Sequence, residues 1–196
     1  MMKKPRNVFV LSILGIWAIA CLAIVSQLHS FHYLSFWPDA NLAVKRDQQW
    51  SLTHVLGVDC KCSSVVGEYL IKRGPQANTF ENVLILGKDS SLAKRFSEVG
   101  YQVQEKDPNE LSATEHALGV PFVIINSPKG PSVYAGGYGD RKVVDGGPIR
   151  DLEILEALKG GRTSASFPIF GCVASLKYQK LTDPFAMKYT TTELKK

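Results

Sequence analysis

The sequence predicts an α/β domain, with a central mixed sheet flanked by helices, behind an N-terminal transmembrane helix. Three observations lead to this prediction. From residue 50 onward, short apolar runs alternate with stretches of helical periodicity. Two apolar runs joined by a short turn, between residues 122 and 135, indicate an antiparallel hairpin. Residues 8–28 form a run of 21 residues without a charge.

The elements of the domain follow in chain order. Apolar runs, continuous or alternating, predict strands at residues 51–58, 83–86, 101–106, 122–125 and 132–135. Apolar residues at helical spacing predict helices at residues 63–73, 91–99 and 149–159. A capping box at Ser112 and Glu115 predicts one more short helix, which ends at Gly119. No internal repeat interrupts this order.

The charge distribution excludes one class of function. The net charge of the 196-residue chain is +5, but residues 29–196 hold 20 basic and 18 acidic residues and are nearly neutral. A nucleic-acid-binding domain carries a dense basic stripe, and no basic run in residues 29–196 is longer than a pair such as Lys72-Arg73. We therefore expect no nucleic-acid partner.

The uncharged segment at residues 8–28 predicts a signal anchor. As a helix it is about 32 Å long, enough for a hydrocarbon core of about 30 Å. Lys3, Lys4 and Arg6 precede it, and the positive-inside rule keeps them in the cytoplasm, so that the domain lies outside. A cleaved signal peptide is the alternative, although no clear cleavage site follows. The predicted parts are a tip at residues 1–7, the anchor at 8–28, a tether at 29–49, the domain at 50–176 and a polar tail at 177–196.

Three cysteines lie beyond the anchor, and two of them occupy a chemically informative position. Cys60 and Cys62 follow the first predicted strand, where a helix begins. A helix N-terminus favours a thiolate over a thiol and lowers the pKa of a cysteine there. Lys61 adds a positive charge, whereas Asp59 weakens the effect. The alternatives are packing cysteines or a structural disulfide to Cys172.

The same cysteines also suggest a metal. Zinc requires four ligands, usually in two spaced pairs. Cu(I) accepts two or three thiolates, so copper is the better candidate for Cys60, Cys62 and Cys172. His54 and His116 are the histidines of the predicted domain, and each is interpreted as a packed or surface residue rather than a ligand.

The residues from about 50 to 160 resemble the thioredoxin-like superfamily, and in particular its membrane-anchored, TlpA-like thiol–disulfide proteins. The resemblance rests on the cysteine motif at a strand-to-helix junction, the inserted strand and helix at residues 101–118, the Gly119-Val120-Pro121 loop and the following hairpin. The usual motif is Cys-x-x-Cys, whereas this sequence has Cys60-Lys61-Cys62-Ser63. Some members similarly combine Cys-x-Cys-Ser with a late Phe-Gly-Cys, which corresponds to Phe170-Gly171-Cys172 here.

The resemblance implies a thioredoxin-like fold and a site made of specific residues. Cys60 takes the nucleophile position, Cys62 would resolve the mixed disulfide, and Cys172 is a third member of the site or half of a structural disulfide. Val120 and Pro121, joined by a cis peptide bond, would bind the substrate chain.

The resemblance also implies partners and a location. The expected partners are a protein thiol or disulfide substrate and an upstream redox protein. The expected location is the bacterial inner membrane, spanned once through residues 8–28, with the domain in the periplasm or an equivalent space. No cofactor is expected for an oxidoreductase. The alternative function is a copper chaperone or metalloprotein assembly factor that uses the same three cysteines.

Overall fold

A computed structural model describes residues 5–33, 43–44, 48–58, 60–108, 119–130, 132–175 and 179–180, and within the first helix it describes the side chains of residues 10–25. The chain divides into two compact units, Met1–Leu34 and Ser35–Lys196. Several predictions fall outside the described residues: the capping-box helix with His116, Asp59, most of the tether and most of the tail.

The N-terminal unit is one helix, α1 (Pro5–Tyr33). Large apolar side chains around its circumference are exposed, namely Val10, Leu11, Ile13, Leu14, Ile16, Trp17, Ile19, Leu22, Ile24 and Val25. Among the residues that the structure describes, no helix combines the length and the apolar character needed to cross a membrane.

The second unit confirms the predicted α/β architecture. Its elements are β1 (Ser51–Gly57), α2 (Lys61–Arg73), β2 (Phe80–Leu86), α3 (Ser90–Glu98), β3 (Gln102–Lys106), β4 (Gly119–Val120), β5 (Phe122–Asn126), β6 (Ser132–Gly136), α4 (Asp151–Lys159) and β7 (Cys172–Val173). The five-stranded sheet has the order β3-β2-β1-β5-β6. β1, β2 and β3 run parallel, whereas β5 is antiparallel to both β1 and β6.

The core lies between the sheet and the helices. Because side chains alternate along a strand, Leu52 and Leu56 of β1 lie on one face. They share a buried cluster with Val66 and Leu70 of α2, and with Leu155 of α4. Full burial of such a side chain contributes about 1.5–3 kcal/mol. This packing fixes α2, and therefore its N-terminus, against the end of β1.

A second sheet of two short strands was not predicted from the sequence. β4 and β7 are antiparallel, with Gly119 opposite Val173 and Val120 opposite Cys172. The two strands approach closely beside Gly171, where an added Cβ would collide with the carbonyl oxygen of Val120 and come within 3.0 Å of the Pro121 ring. Two-residue strands carry no periodicity, which is why sequence patterns cannot reveal them.

Candidate functional site: a thiol cluster at a helix N-terminus

Cys60 occupies the N-cap of α2. Its backbone is extended, with φ −116° and ψ 112°, and the residue is only 3% exposed. In the thiol form its sulfur donates a hydrogen bond to the carbonyl oxygen of Val120 at 3.5 Å. The structure thus brings the predicted nucleophile against the backbone of the predicted substrate-binding loop.

The other two cysteines of the domain lie beside Cys60. Cys62 is buried in the first turn of α2, and Cys172 is half-buried on β7. Hydrogen bonds from Cys172 first, and then from Cys62, hold the pKa of Cys60 well below its usual value, although burial opposes them by raising it. Hydrogen bonds to a thiolate favour the ionised form, so the surroundings of Cys60 favour its thiolate.

Ser63 occupies the position of the second cysteine in a Cys-x-x-Cys motif. Its hydroxyl oxygen accepts a hydrogen bond from the Gly57 backbone N–H at 3.0 Å, which leaves its proton to donate to Cys60. This donation lowers the pKa of Cys60 less than the two thiols do. The Cys60 side chain does not cap the helix with a hydrogen bond. Of the groups that lower the pKa of Cys60, the backbone N–H of Ser63 contributes least.

The Val120–Pro121 loop lies against the end of β1. The Val120–Pro121 peptide bond is cis, as the resemblance implies. Val120 is buried, and a Cβ added at Gly57 would lie 2.7 Å from its side chain. Gly57 therefore permits the close approach that keeps the Val120 carbonyl within reach of Cys60.

The sequence also suggested roles for Lys61 and Asp59, and a metal, at this site. Lys61 is exposed beside Cys60, whereas Asp59 is not among the described residues. Within the described part of the chain, no group of three or more His, Cys, Asp or Glu side chains could hold a metal ion.

A second polar cluster lies inside the domain, and sequence analysis missed it. Its members are His54, Glu81, Arg73 and Asp151, contributed by β1, β2, α2 and α4. The Glu81 carboxylate accepts a hydrogen bond from His54 Nε2 at 3.1 Å and another from Arg73 Nη2 at 2.8 Å. The same Arg73 nitrogen donates to Asp151 Oδ2 at 2.8 Å.

Charged partners keep the Glu81 carboxylate ionised in the interior. Burial raises the pKa of Glu81, but the hydrogen bonds and charges of His54 and Arg73 outweigh it and bring the pKa to about 2. His54 is fully buried, and its Nδ1 lies 2.9 Å from the Tyr138 hydroxyl. Its interpretation as a packed histidine is therefore confirmed.

The signal for this cluster was present but incomplete. Glu81 is a buried acidic residue of β2, and a charge is seldom buried without a partner. Arg73 lies only 8 positions from Glu81, but His54 lies 27 positions away, and Arg73 contacts Asp151 over 78 positions. Only the folded chain shows which charges meet.

We expect Ser63→Ala to raise the pKa of Cys60, because the thiolate loses a hydrogen-bond donor. The buried Gly57 N–H also loses its acceptor, which destabilises the fold by about 1–3 kcal/mol. The rate of Cys60 alkylation, measured against pH in the full chain, should show its inflexion at higher pH. Ser64→Ala is the matched control, since Ser64 is the next residue of the same helix and is exposed. An unchanged inflexion in the Ser63 variant would contradict the role of this hydroxyl.

The fold and the site together define a mixed α/β domain with three cysteines clustered at the N-terminus of a helix. No family model matches the sequence, and no curated protein matches it. Solved structures that are similar to it include the following two. A hypothetical protein from Sinorhizobium meliloti 1021 aligns with a TM-score of 0.50 at 20% identity, over 71% of this chain and 88% of that one.

The second similar structure is an uncharacterized conserved protein from Geobacillus kaustophilus. It aligns with a TM-score of 0.49 at 16% identity, over 65% of this chain and 77% of that one. The likeness to the Sinorhizobium protein is one of fold, and neither description names an activity.

Proposed function

We propose that this protein is a membrane-anchored, thioredoxin-like thiol–disulfide oxidoreductase with Cys60 as its nucleophile. The observation that carries the proposal is the setting of Cys60: a thiol at a helix N-terminus whose pKa is lowered by hydrogen bonds from Cys172 and Cys62. A thiolate, not a thiol, attacks disulfides. A structural cysteine has no need of such stabilisation.

The proposed reaction is thiol–disulfide exchange through a mixed disulfide. The Cys60 thiolate attacks one sulfur of a substrate disulfide, forms a bond to it, and releases the other sulfur as a thiolate. A second cysteine of the protein then attacks Cys60 and releases the substrate as a dithiol. The two electrons come from the protein, and an upstream dithiol restores them. With a dithiol substrate the same steps run in reverse.

Substrate binding is assigned to the Val120–Pro121 loop. The Val120 carbonyl already lies 3.5 Å from the Cys60 sulfur, so a chain laid along this loop would bring its sulfur to Cys60. Proximity of this kind turns a bimolecular attack into a local one. The proposed partners are therefore a protein thiol or disulfide and an upstream redox protein.

We also propose that residues 8–28 anchor the chain in a bacterial inner membrane, with the domain in the periplasm or an equivalent space. Support comes from 21 uncharged residues, from the exposed apolar side chains of α1, and from the basic residues that precede them. Full-length chain expressed in bacteria should stay in the membrane pellet after alkaline carbonate extraction. It should also react with a membrane-impermeant thiol reagent in spheroplasts. Release into the extract would contradict the anchor.

The decisive test of the function is exchange activity in the full chain. The rate at which the protein reduces a disulfide-bonded peptide, with dithiothreitol as the electron source, should fall to the uncatalysed rate in Cys60→Ser. Cys21→Ser is the matched control and should keep full activity, because Cys21 lies in α1 outside the thiol cluster. Unchanged activity of the Cys60 variant would exclude the proposal. Stoichiometric Cu(I) binding that survives a strong chelator, together with absent exchange, would instead support the copper alternative.

A further inference from the structure

The structure distinguishes the two cysteines that accompany Cys60. Cys172 lies opposite Val120 in the β4–β7 pair. The carbonyl oxygen of Val120 also accepts the hydrogen bond from the Cys60 thiol. Paired residues of antiparallel strands have Cα atoms only about 4.5–5.5 Å apart. Cys60 and Cys172 therefore meet at the same backbone position, although 112 residues separate them in sequence.

Cys62 is less well placed to form a bond with Cys60. It lies two positions after Cys60, inside the first turn of α2. Cys60 is the N-cap, whose extended backbone precedes the helix, and a bond between residues two positions apart closes a very small ring, which requires the first turn of α2 to unwind. The packing of Val66 and Leu70 in the core, one and two turns later, resists such unwinding.

Exposure also separates the two. Cys62 is only 5% exposed, whereas Cys172 is half-buried. A disulfide must be reached by an external thiolate before it is reduced again. A bond that includes Cys172 offers an incoming reductant a more exposed sulfur than a bond between Cys60 and Cys62 does.

We propose that Cys172, and not Cys62, is the resolving cysteine of the exchange reaction. This inference rests on the proposed function. Cys172 attacks the Cys60 sulfur of the mixed disulfide, a Cys60–Cys172 bond forms, and the bond between Cys60 and the substrate breaks. The Cys172 proton passes to the leaving substrate sulfur. Two electrons have then moved from the two cysteines to the substrate disulfide, and an upstream dithiol returns them.

Cys62 then has a positioning role. It contributes a hydrogen bond that lowers the pKa of Cys60, second in size to that of Cys172. Its removal should therefore slow the first step of the reaction and leave the second step intact.

The test uses the full chain in detergent on a Cys21→Ser background, with one equivalent of dithiobis(nitrobenzoate). Attack by Cys60 releases one equivalent of thionitrobenzoate, and resolution releases a second. We expect release of both from the background protein and from its Cys62→Ser variant. Cys172→Ser should release one and retain the adduct on Cys60, visible by peptide mass. Mapping of the oxidised background protein should find a Cys60–Cys172 bond, which requires no variant.

Thermal unfolding supplies a second readout. A Cys60–Cys172 bond closes a loop of more than 100 residues and should raise Tm, whereas a Cys60–Cys62 bond closes almost none. Oxidation should therefore raise Tm in the background protein and in Cys62→Ser, and not in Cys172→Ser.

The outcomes separate the two proposals. The role of Cys172 would be overturned if Cys62→Ser released one equivalent of thionitrobenzoate and Cys172→Ser released two. A mapped Cys60–Cys62 bond would overturn it as well. Either result would leave the proposed oxidoreductase function intact. Thionitrobenzoate release from Cys60→Ser that is as fast as from the background protein would refute the proposed function itself.

Discussion

Glu81→Ala is expected to destabilise the domain by about 3–5 kcal/mol, the cost of removing one partner from a buried ion pair. The side chain of Glu81 is fully buried and accepts from His54 and from Arg73 at 3.1 and 2.8 Å. Its loss leaves the Arg73 guanidinium, only 10% exposed, with Asp151 as its remaining carboxylate. The free energy of unfolding from urea denaturation, at neutral pH, measures the effect.

The chain offers a matched control for this loss. Glu68 also pairs with an arginine, Arg95, through two hydrogen bonds of 2.8 Å, but both side chains are about half exposed. Solvent screens such a pair, so Glu68→Ala should change the stability little. Equal effects at positions 68 and 81 would contradict the role assigned to the buried cluster.

The pH dependence of the stability of the natural protein follows from the lowered pKa of Glu81. A carboxyl whose pKa falls on folding, here from 4.5 to about 2, stabilises the fold fully above the unfolded value. That contribution is lost as the pH falls from 4.5 towards 2. The difference in unfolding free energy between the natural protein and Glu81→Gln should therefore shrink over this range. A constant difference would show that Glu81 does not titrate as the structure indicates.

Gly171→Ala is expected to disrupt the thiol cluster. A Cβ at position 171 collides with the carbonyl oxygen of Val120, and this obstacle is backbone, which cannot swing aside. Overpacking of this kind costs about 1–3 kcal/mol. Because relief requires β7 to move away from β4, Cys172 should lose its hydrogen bond to Cys60, and the pKa of Cys60 should rise.

Alkylation of Cys60 against pH, together with the exchange assay, measures this effect. We expect a higher inflexion and a strongly reduced exchange rate. Gly139→Ala is the control, because the nearest atom to a Cβ there is the Pro148 oxygen at an ordinary 4.0 Å. Normal reactivity of Cys60 in the Gly171 variant would mean that the β4–β7 contact does not position Cys172.

Sequence periodicity was sufficient for most of the fold. The strands at β1, β2, β3, β5 and β6 and the three helices of the domain were all predicted, with ends within about three residues of those observed. Local chemistry also indicated Cys60, because a cysteine between a strand and a helix has a recognisable position. Two short strands, β4 and β7, carried no such pattern and were missed.

What a residue is and how its neighbours alternate can be read from the chain alone: the α/β class, the order of its elements, and an acidic cysteine at a helix N-terminus. Which residues meet is a different question. Cys172 opposite Val120, and Glu81 beside His54, are pairs whose members lie far apart along the chain. Local propensity acts over a few residues, whereas these contacts arise when the sheet and helices pack together. The two cysteines beside Cys60 thus acquire different roles only once the chain has folded.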